Sequence, residues 1–340
     1  MHASSIESRR DLDGVDVAVT GANGFLGTVL CRQLVERGAS VRAMVRDPRR
    51  INGLDKLDVE VCEGDVTDRS SLRRLFAKRD YVFHVAALFR QQGVSDSAFY
   101  EINVRGTENA LQVAAEQGIS RFVHCSTVGV HSHIPNPPAN EEEALRPGDI
   151  YQLTKSEGEK LAAESMNNGR VPGCIVRPAM IWGPGDTRTL KLFKGISTRR
   201  MPVIGTGDVL LHWVLVDDVA RGMILAAKAD ERQGETYIIA GEKPVSIAEL
   251  FECIGTEFGV KSLPFRVPAW PVQMLGEVVE RACRPLGIEP PIYRRRVDFF
   301  TKTRAFDWSK ARDELGYRPS QSLQQEIRMI ADSYRSMGWL

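Results

Sequence analysis

The chain has no CxxC pair among its six cysteines, no internal repeat, no low-complexity tract, and no apolar run near the ~18 residues of a membrane span. Cysteines 31, 62, 125, 174, 253 and 283 are scattered, most of them in apolar runs. That spacing argues for buried thiols in a reducing compartment, and no metal site is expected. Charge of one sign is missing too. Lys and Arg number 45 against 44 Asp and Glu, so nothing global favours nucleic acid or acidic membranes. Met1 to Asp13 is polar, carries Arg9-Arg10 and lacks the apolar core of a signal peptide, so residues 1–13 read as a loose cytoplasmic tail. What remains is an ordinary globular composition, 43% hydrophobic and 26% charged over 340 residues.

The organising stretch is Val15 to Gly27. A β-branched run, Val15-Asp16-Val17-Ala18-Val19-Thr20, ends in Gly21, Gly24 and Gly27, and a helical pattern follows over Thr28 to Arg37. Glycines at a strand-to-helix turn allow backbone angles closed to other residues. They also let the backbone approach a pyrophosphate at the positive end of a helix. The plainer reading is a tight turn without a ligand; the flanking strand and helix favour a nucleotide.

A second strand, Ser40 to Val45, ends at Arg46-Asp47-Pro48-Arg49-Arg50. The acidic residue that would bind an adenosine ribose 2′-hydroxyl is missing from its tip. A guanidinium suits a phosphate, so Arg46 points to NADP, with NAD as the alternative that Asp47 keeps open. A third strand, Val59 to Cys62, leads to Gly64-Asp65-Val66. Asp65 either accepts from an adenine amino group or bonds its own turn. Asp68 N-caps a helix over Arg69 to Phe76. Tyr81 to Ala87 reads as a buried strand closing on small residues, with His84 as a core histidine. A helix from about Ser97 to Gln117 holds Asn103, a residue that disfavours helix interiors slightly. It reads as a surface position or as one with a structural or proton-relay task.

The strand Arg121 to Thr127 ends in two hydroxyls, Ser126 and Thr127. The Pro-rich stretch from His131 to Asp149 is too long for a bare connector and is expected to border a substrate. Tyr151 and Lys155 then open a helix four residues apart, on one face. An ammonium near a phenol favours phenolate, and such a Tyr trades a proton with an alcohol or carbonyl.

With these pieces in order, the chain resembles an extended short-chain dehydrogenase/reductase of the NAD-dependent epimerase/dehydratase group. The resemblance rests on Thr20 to Gly27, Gly64-Asp65-Val66, His84-Val85-Ala86-Ala87, Asn103 to Thr107, Cys125-Ser126-Thr127, Tyr151 to Lys155, Arg177-Pro178 through Gly185, Val216 to Ala220, and Asp307 to Arg312 with Leu315-Gly316-Tyr317. It spans roughly residues 14 to 335. It implies a doubly wound Rossmann-type parallel sheet with a smaller α+β C-terminal substrate domain. The dinucleotide-binding part would take residues 14–176 and regain 214–240; the substrate part would take 177–213 and 241–340.

The resemblance also implies roles. Tyr151 would be the acid/base, and Lys155 would hold the nicotinamide ribose and tune Tyr151. Thr127, with Ser126 held open beside it, would orient the substrate oxygen. Gly21, Asn23, Gly24, Phe25, Leu26, Gly27, Arg46, Asp65, Val66, Val85, Ala86, Ala87, Tyr151, Lys155, Pro178 and Ile181 would contact the dinucleotide. Sugar-nucleotide epimerases often carry an Arg where Leu211 stands, and an apolar residue cannot replace a charge-assisted phosphate contact. The C-terminal half and the Val41-to-Pro48 ending resemble the 3β-hydroxysteroid dehydrogenase and dihydroflavonol reductase branch.

The expectation is an NAD(P)-dependent oxidoreductase acting on a carbonyl or secondary alcohol of a small, largely apolar substrate. An NDP-sugar 4-epimerase or dehydratase with tightly bound NAD is the alternative, and a non-catalytic dinucleotide sensor is the remote one. A cytoplasmic homodimer without nucleic-acid partners is expected by analogy. Tyr293-Arg294-Arg295-Arg296 reads as a basic surface, and Pro268 to Leu286 as a helix packing between domains.

Overall fold

A computed structural model describes residues 10–89, 93–229, 231–261, 263, 265–272, 274 and 294–340. The tail through Arg9, residues 90–92, most of the Pro268-to-Leu286 helix and the Tyr293-to-Arg296 side chains lie outside the described residues.

Strands buried on both faces read as near-continuous apolar runs. Four central ones here do: β1 (Asp16–Thr20), β4 (Tyr81–His84), β5 (Arg121–Cys125) and β6 (Gly173–Pro178). With β2 (Ser40–Val45), β3 (Val59–Glu63) and the later β11 (Thr236–Ile239) they form a seven-stranded sheet in the order β3-β2-β1-β4-β5-β6-β11. Every pairing is parallel, with Val17 opposite Val41 on one side and Tyr81 on the other. The chain order reverses between β1 and β4. In an open parallel sheet, that switch point opens a crevice at the carboxyl ends of the strands.

Side chains alternate across the sheet. Val17 and Val19 of β1 pack into one apolar layer with α1 (Phe25–Glu36) and the later α7 (Val216–Lys228). Ala18 faces the other layer, filled from α2 (Arg69–Phe76), α4 (Gly106–Gln117) and α5 (Ile150–Asn167). Helix α1 starts three residues before the expected Thr28, because Gly24 is already its N-cap. The expected Ser97–Gln117 helix is three segments in line. These are α3 (Asp96–Phe99), a π-helical turn over Tyr100–Arg105, and α4.

A smaller C-terminal lobe surrounds a third apolar cluster. It is built from β7 (Met180–Trp182), α6 (Thr187–Ser197), β8 (Val203–Ile204), β9 (Leu210–Leu211), β10 (Trp213–Leu215), β12 (Val245–Ser246), α8 (Ile247–Glu257), β13 (Arg266–Val267), α9 (Arg294–Thr301) and α11 (Leu323–Ser336), while α10 (Ser309–Leu315) packs Ala311 and Leu315 into the layer of α1 and α7. Trp182 and Trp213 stack at 4.6 Å in its centre. The Pro-rich stretch packs on this lobe: the amides of Ile134 and Ala139 donate to the carbonyls of Thr303 and Ala305.

Candidate active site

The Gly-rich turn leaves β1 at the switch point. Gly21 adopts φ +69°, and a Cβ there would lie 2.8 Å from the Ala86 backbone beyond β4. A Cβ on Gly27 would lie 2.2 Å from the Gly21 carbonyl oxygen. The turn is thus closed around two positions where only glycine fits. Gly24 offers no side-chain cap, and the first turn of α1 holds no acidic residue. The N–H groups of that turn and the positive end of the helix face the crevice without competition, which suits a diphosphate. Asn23 ties the turn to the loop after β2, its Nδ2 donating to the Arg50 carbonyl at 2.7 Å.

Thr20 fixes the neighbouring strand end. Its Oγ1 accepts from the amides of Val85 and Ala86 at 3.2 and 3.1 Å, so its proton goes to His84 Nδ1 at 3.0 Å. That leaves His84 Nε2 as the donor to Thr107 Oγ1, 3.2 Å away, while the Thr107 hydroxyl donates to the Asn103 carbonyl. Burial drives the His84 pKa down to about 3, so the ring stays neutral in this chain of bonds. It is the packed histidine the sequence suggested. The strand itself stops at His84, leaving Val85, Ala86 and Ala87 on the crevice floor.

Tyr151 and Lys155 lie on the buried side of α5, 8% and 2% exposed. Asp149 caps that helix by accepting from the Gln152 amide at 2.8 Å, which sets where Tyr151 starts. Lys155 Nζ donates to the Cys125 carbonyl at the end of β5, 2.6 Å away. Burial holds this ammonium below its usual range, while Cys125 and Glu159 act in the opposite direction. Phe89 meets the Tyr151 ring edge-on at 5.0 Å.

The two hydroxyls after β5 part company. Thr127 is half-buried, and its Oγ1 accepts from the Gly129 amide at 3.0 Å. Ser126 is buried and donates to Glu159. Glu159 in turn pairs with Arg177 of β6 at 2.6 Å, and Arg177 donates to the Glu141 carbonyl at 2.8 Å. Ser126 therefore belongs to a buried ion-pair network behind the strand end. The sequence reading missed Glu159, although it stands four residues after Lys155 on the same helical row.

Asn103 is buried, 1% exposed, which removes the surface reading. Its Oδ1 accepts from the Leu88 amide at 2.7 Å, and its Nδ2 donates to the Leu88 carbonyl and to Thr154 Oγ1 at 3.2 and 3.0 Å.

At the far end of the crevice, Arg46, Glu63, Gly64, Asp65, Ser71 and Arg74 line an open pocket of about 360 Å³. Asp47 is turned onto Arg49, which holds its carboxyl below the usual range. Asp65 spends Oδ1 on the amide and hydroxyl of Thr67 at 2.9 and 2.8 Å, as a turn Asp does. Arg74 is a second guanidinium that sequence reading passed over, six residues after the Asp68 cap on α2. Glu63 places a carboxylate in the same pocket. Val66 is buried against Gly106, so only its backbone is near this pocket. Pro178 ends β6 and Ile181 lies in β7, paired with Val214. Leu211 is fully buried, as an apolar residue can be and an Arg could not without a partner.

A model of the NAD dependent epimerase/dehydratase family matches residues 17–240. The chain is 34% identical to the 4-hydroxy-2-methyl-3-oxo-4-farnesyl-3,4-dihydroquinoline-1-oxide ketoreductase of Stigmatella aurantiaca, over 94% of this chain and 96% of the relative. It is 27% identical to a 2-alkyl-3-oxoalkanoate reductase of Stenotrophomonas maltophilia, over 93% and 98%. A double mutant of the dTDP-glucose 4,6-dehydratase from Streptomyces venezuelae, solved with NAD bound, is 26% identical with a TM-score of 0.75, over 95% of this chain and 98% of that one.

Proposed function

Because the chain belongs to the NAD dependent epimerase/dehydratase family, we propose that it is an NAD(P)-dependent oxidoreductase acting on a carbonyl or secondary alcohol of a largely apolar substrate. The observation that carries this reading is that Tyr151 and Lys155 are both buried on α5 and that Lys155 Nζ donates to the Cys125 carbonyl, two residues before Thr127. The residues present suit the dinucleotide: the turn that Gly21 and Gly27 close, with the α1 N-terminus, suits its diphosphate, Ala86 and Ala87 a flat ring, and Arg46 with Arg74 an adenosine phosphate. When bound, it supplies or takes the hydride.

In the reducing direction Tyr151 gives its phenolic proton to the carbonyl oxygen as that oxygen gains charge. The Lys155 ammonium, already held by the Cys125 carbonyl, stabilises the phenolate left behind. Thr127 has used an acceptor site on Gly129, and its O–H is turned to orienting the substrate oxygen. Phe89, against the edge of Tyr151, limits water at the phenol. Pro178 and Ile181 border the nicotinamide end. Two relatives named for the reduction of 3-oxo groups support the direction.

Tyr151→Phe tests the reading. Turnover with a ketone substrate is expected to fall by about 10²- to 10⁴-fold, with coenzyme affinity unchanged. Activity within tenfold of the parent overturns the assignment. The structural likeness to a sugar-nucleotide dehydratase keeps a second reading, an NDP-sugar epimerase or dehydratase. Incubation with UDP- and dTDP-sugars decides it: converted sugar without net coenzyme turnover would replace the first reading. Pairing of two copies through α4 and α5, in a reducing cytoplasm where the five described cysteines stay free, completes the proposal.

A further inference from the structure

Arg188, in the second position of α6, has no part in the reaction above. The small lobe holds it rigidly. Its Nε and Nη2 donate to the two oxygens of Asp186 at 2.8 and 3.0 Å, and Nη2 also donates to the Ile181 carbonyl at 2.9 Å. Asp186 is buried, caps α6 through the Arg188 amide at 2.9 Å, and receives the Tyr334 hydroxyl on its carbonyl. The guanidinium is therefore placed before a ligand arrives.

Beyond this anchor the group reaches the crevice. Its central carbon lies 5.1 Å from the Phe25 ring centroid and 5.6 Å from that of Phe89. Phe89 is the ring that touches Tyr151. Nη1 has no acceptor among the described residues, and 41% of the side chain is exposed. A fixed cation with two N–H donors left over, one ring away from the proton donor, is a receptor for an anion. The coenzyme diphosphate already has the Gly-rich turn and the α1 N-terminus. The anion without a partner is one carried by the substrate.

We propose that Arg188 is a specificity-determining residue that binds a carboxylate on the substrate. The proposal rests on Tyr151 being the proton donor. The preferred substrates are then oxo or hydroxy acids with an apolar tail. The apolar remainder runs along Phe25 and Phe89.

The test is binding to the NADPH-loaded protein, measured by titration calorimetry with octanoate and methyl octanoate. The parent is expected to bind the acid at least tenfold more tightly than the ester, with the preference weakening as salt rises. Arg188→Leu binds the two alike, and Arg188→Lys keeps an intermediate preference. Tyr151→Phe binds octanoate as the parent does. Equal affinity of the parent for acid and ester overturns the proposal, and needs no variant to be seen. So does an Arg188→Leu that weakens NADPH instead of octanoate, since the guanidinium then serves the diphosphate. Because the readout is binding, a failure of the Tyr151 assignment shows in turnover and leaves this result standing apart.

Discussion

Glu326 is a carboxyl in an apolar place. It lies on α11, 3% exposed, with Oε2 accepting from the Trp182 indole nitrogen at 2.5 Å. Burial and the nearby Asp218 push its pKa up to about 8, against a weaker downward pull from Trp182. The folded state therefore prefers the protonated acid. Its contribution is complete below pH 4.5 and is lost as pH rises through about 8. Four histidines act in the opposite sense. Burial holds His84, His124, His131 and His212 neutral, so their contribution is present above pH 6.5 and lost as pH falls below it. Below pH 6.5 the two effects oppose each other; between 6.5 and 8 the Glu326 effect stands clear of the histidines. Stability is expected to fall there with a slope of up to about 1.4 kcal/mol per pH unit. Glu326→Gln keeps an acceptor for Trp182 and should flatten that fall. A Tm-against-pH curve that still declines in the Gln variant would sink the assignment.

Among the elements, the π-helical turn Tyr100–Arg105 matters most to the site. It carries Asn103 inward, where one side chain holds both backbone groups of Leu88 and the Thr154 hydroxyl. Leu88 precedes Phe89, and Thr154 sits between Tyr151 and Lys155, so this amide ties the loop after β4 to α5. In Asn103→Leu the Leu88 groups lose their partners inside the protein, at about 1–3 kcal/mol for each buried group. A lower Tm and a kcat reduced tenfold or more are expected, with the coenzyme Kd unchanged, because the turn that holds the diphosphate is untouched. Equal kcat in parent and variant would show that the loop is positioned by other means. The sequence marked this residue as an Asn in a helix, within the Asn103-to-Thr107 motif, and left a surface position and a structural or proton-relay task both open without naming a partner. Patterning made the strand runs, the Asp68 cap and the Tyr151–Lys155 spacing legible, because each depends on neighbours in sequence. Asn103, Glu159 with Arg177, and Arg188 were not legible as parts of the site. Their partners lie 15 or more residues away, or on rings whose proximity only the fold creates.

At the scale of the molecule, the crevice joins the halves of the doubly wound sheet, so coenzyme binding is expected to stabilise the whole chain. Helix α1, whose N-terminus is proposed to hold the diphosphate, is tied to α7 by Gln33 Nε2 donating to the Asp217 carbonyl at 2.9 Å and by the Arg32–Asp217 pair. From α7 the chain runs on to β11, and Tyr317 closes on the Ala240 carbonyl at 2.8 Å, linking the end of β11 to the C-terminal lobe. A ligand that binds only the folded state at a hundred times its Kd adds about 2.7 kcal/mol. For a chain of this size that is a rise in Tm of about 4 °C. With Arg46 and Arg74 lining the pocket proposed for the adenosine phosphate, NADPH should give the larger shift and NADH the smaller at equal concentration. Arg46→Asp should reverse that order, since a carboxylate accepts from a ribose hydroxyl and repels a phosphate. Gly27→Ala should abolish both shifts and lower the ligand-free Tm, as its Cβ would meet the Gly21 carbonyl at 2.2 Å. Equal shifts for the two coenzymes in parent and Arg46→Asp would place coenzyme selection elsewhere, with Glu63 as the next group to replace.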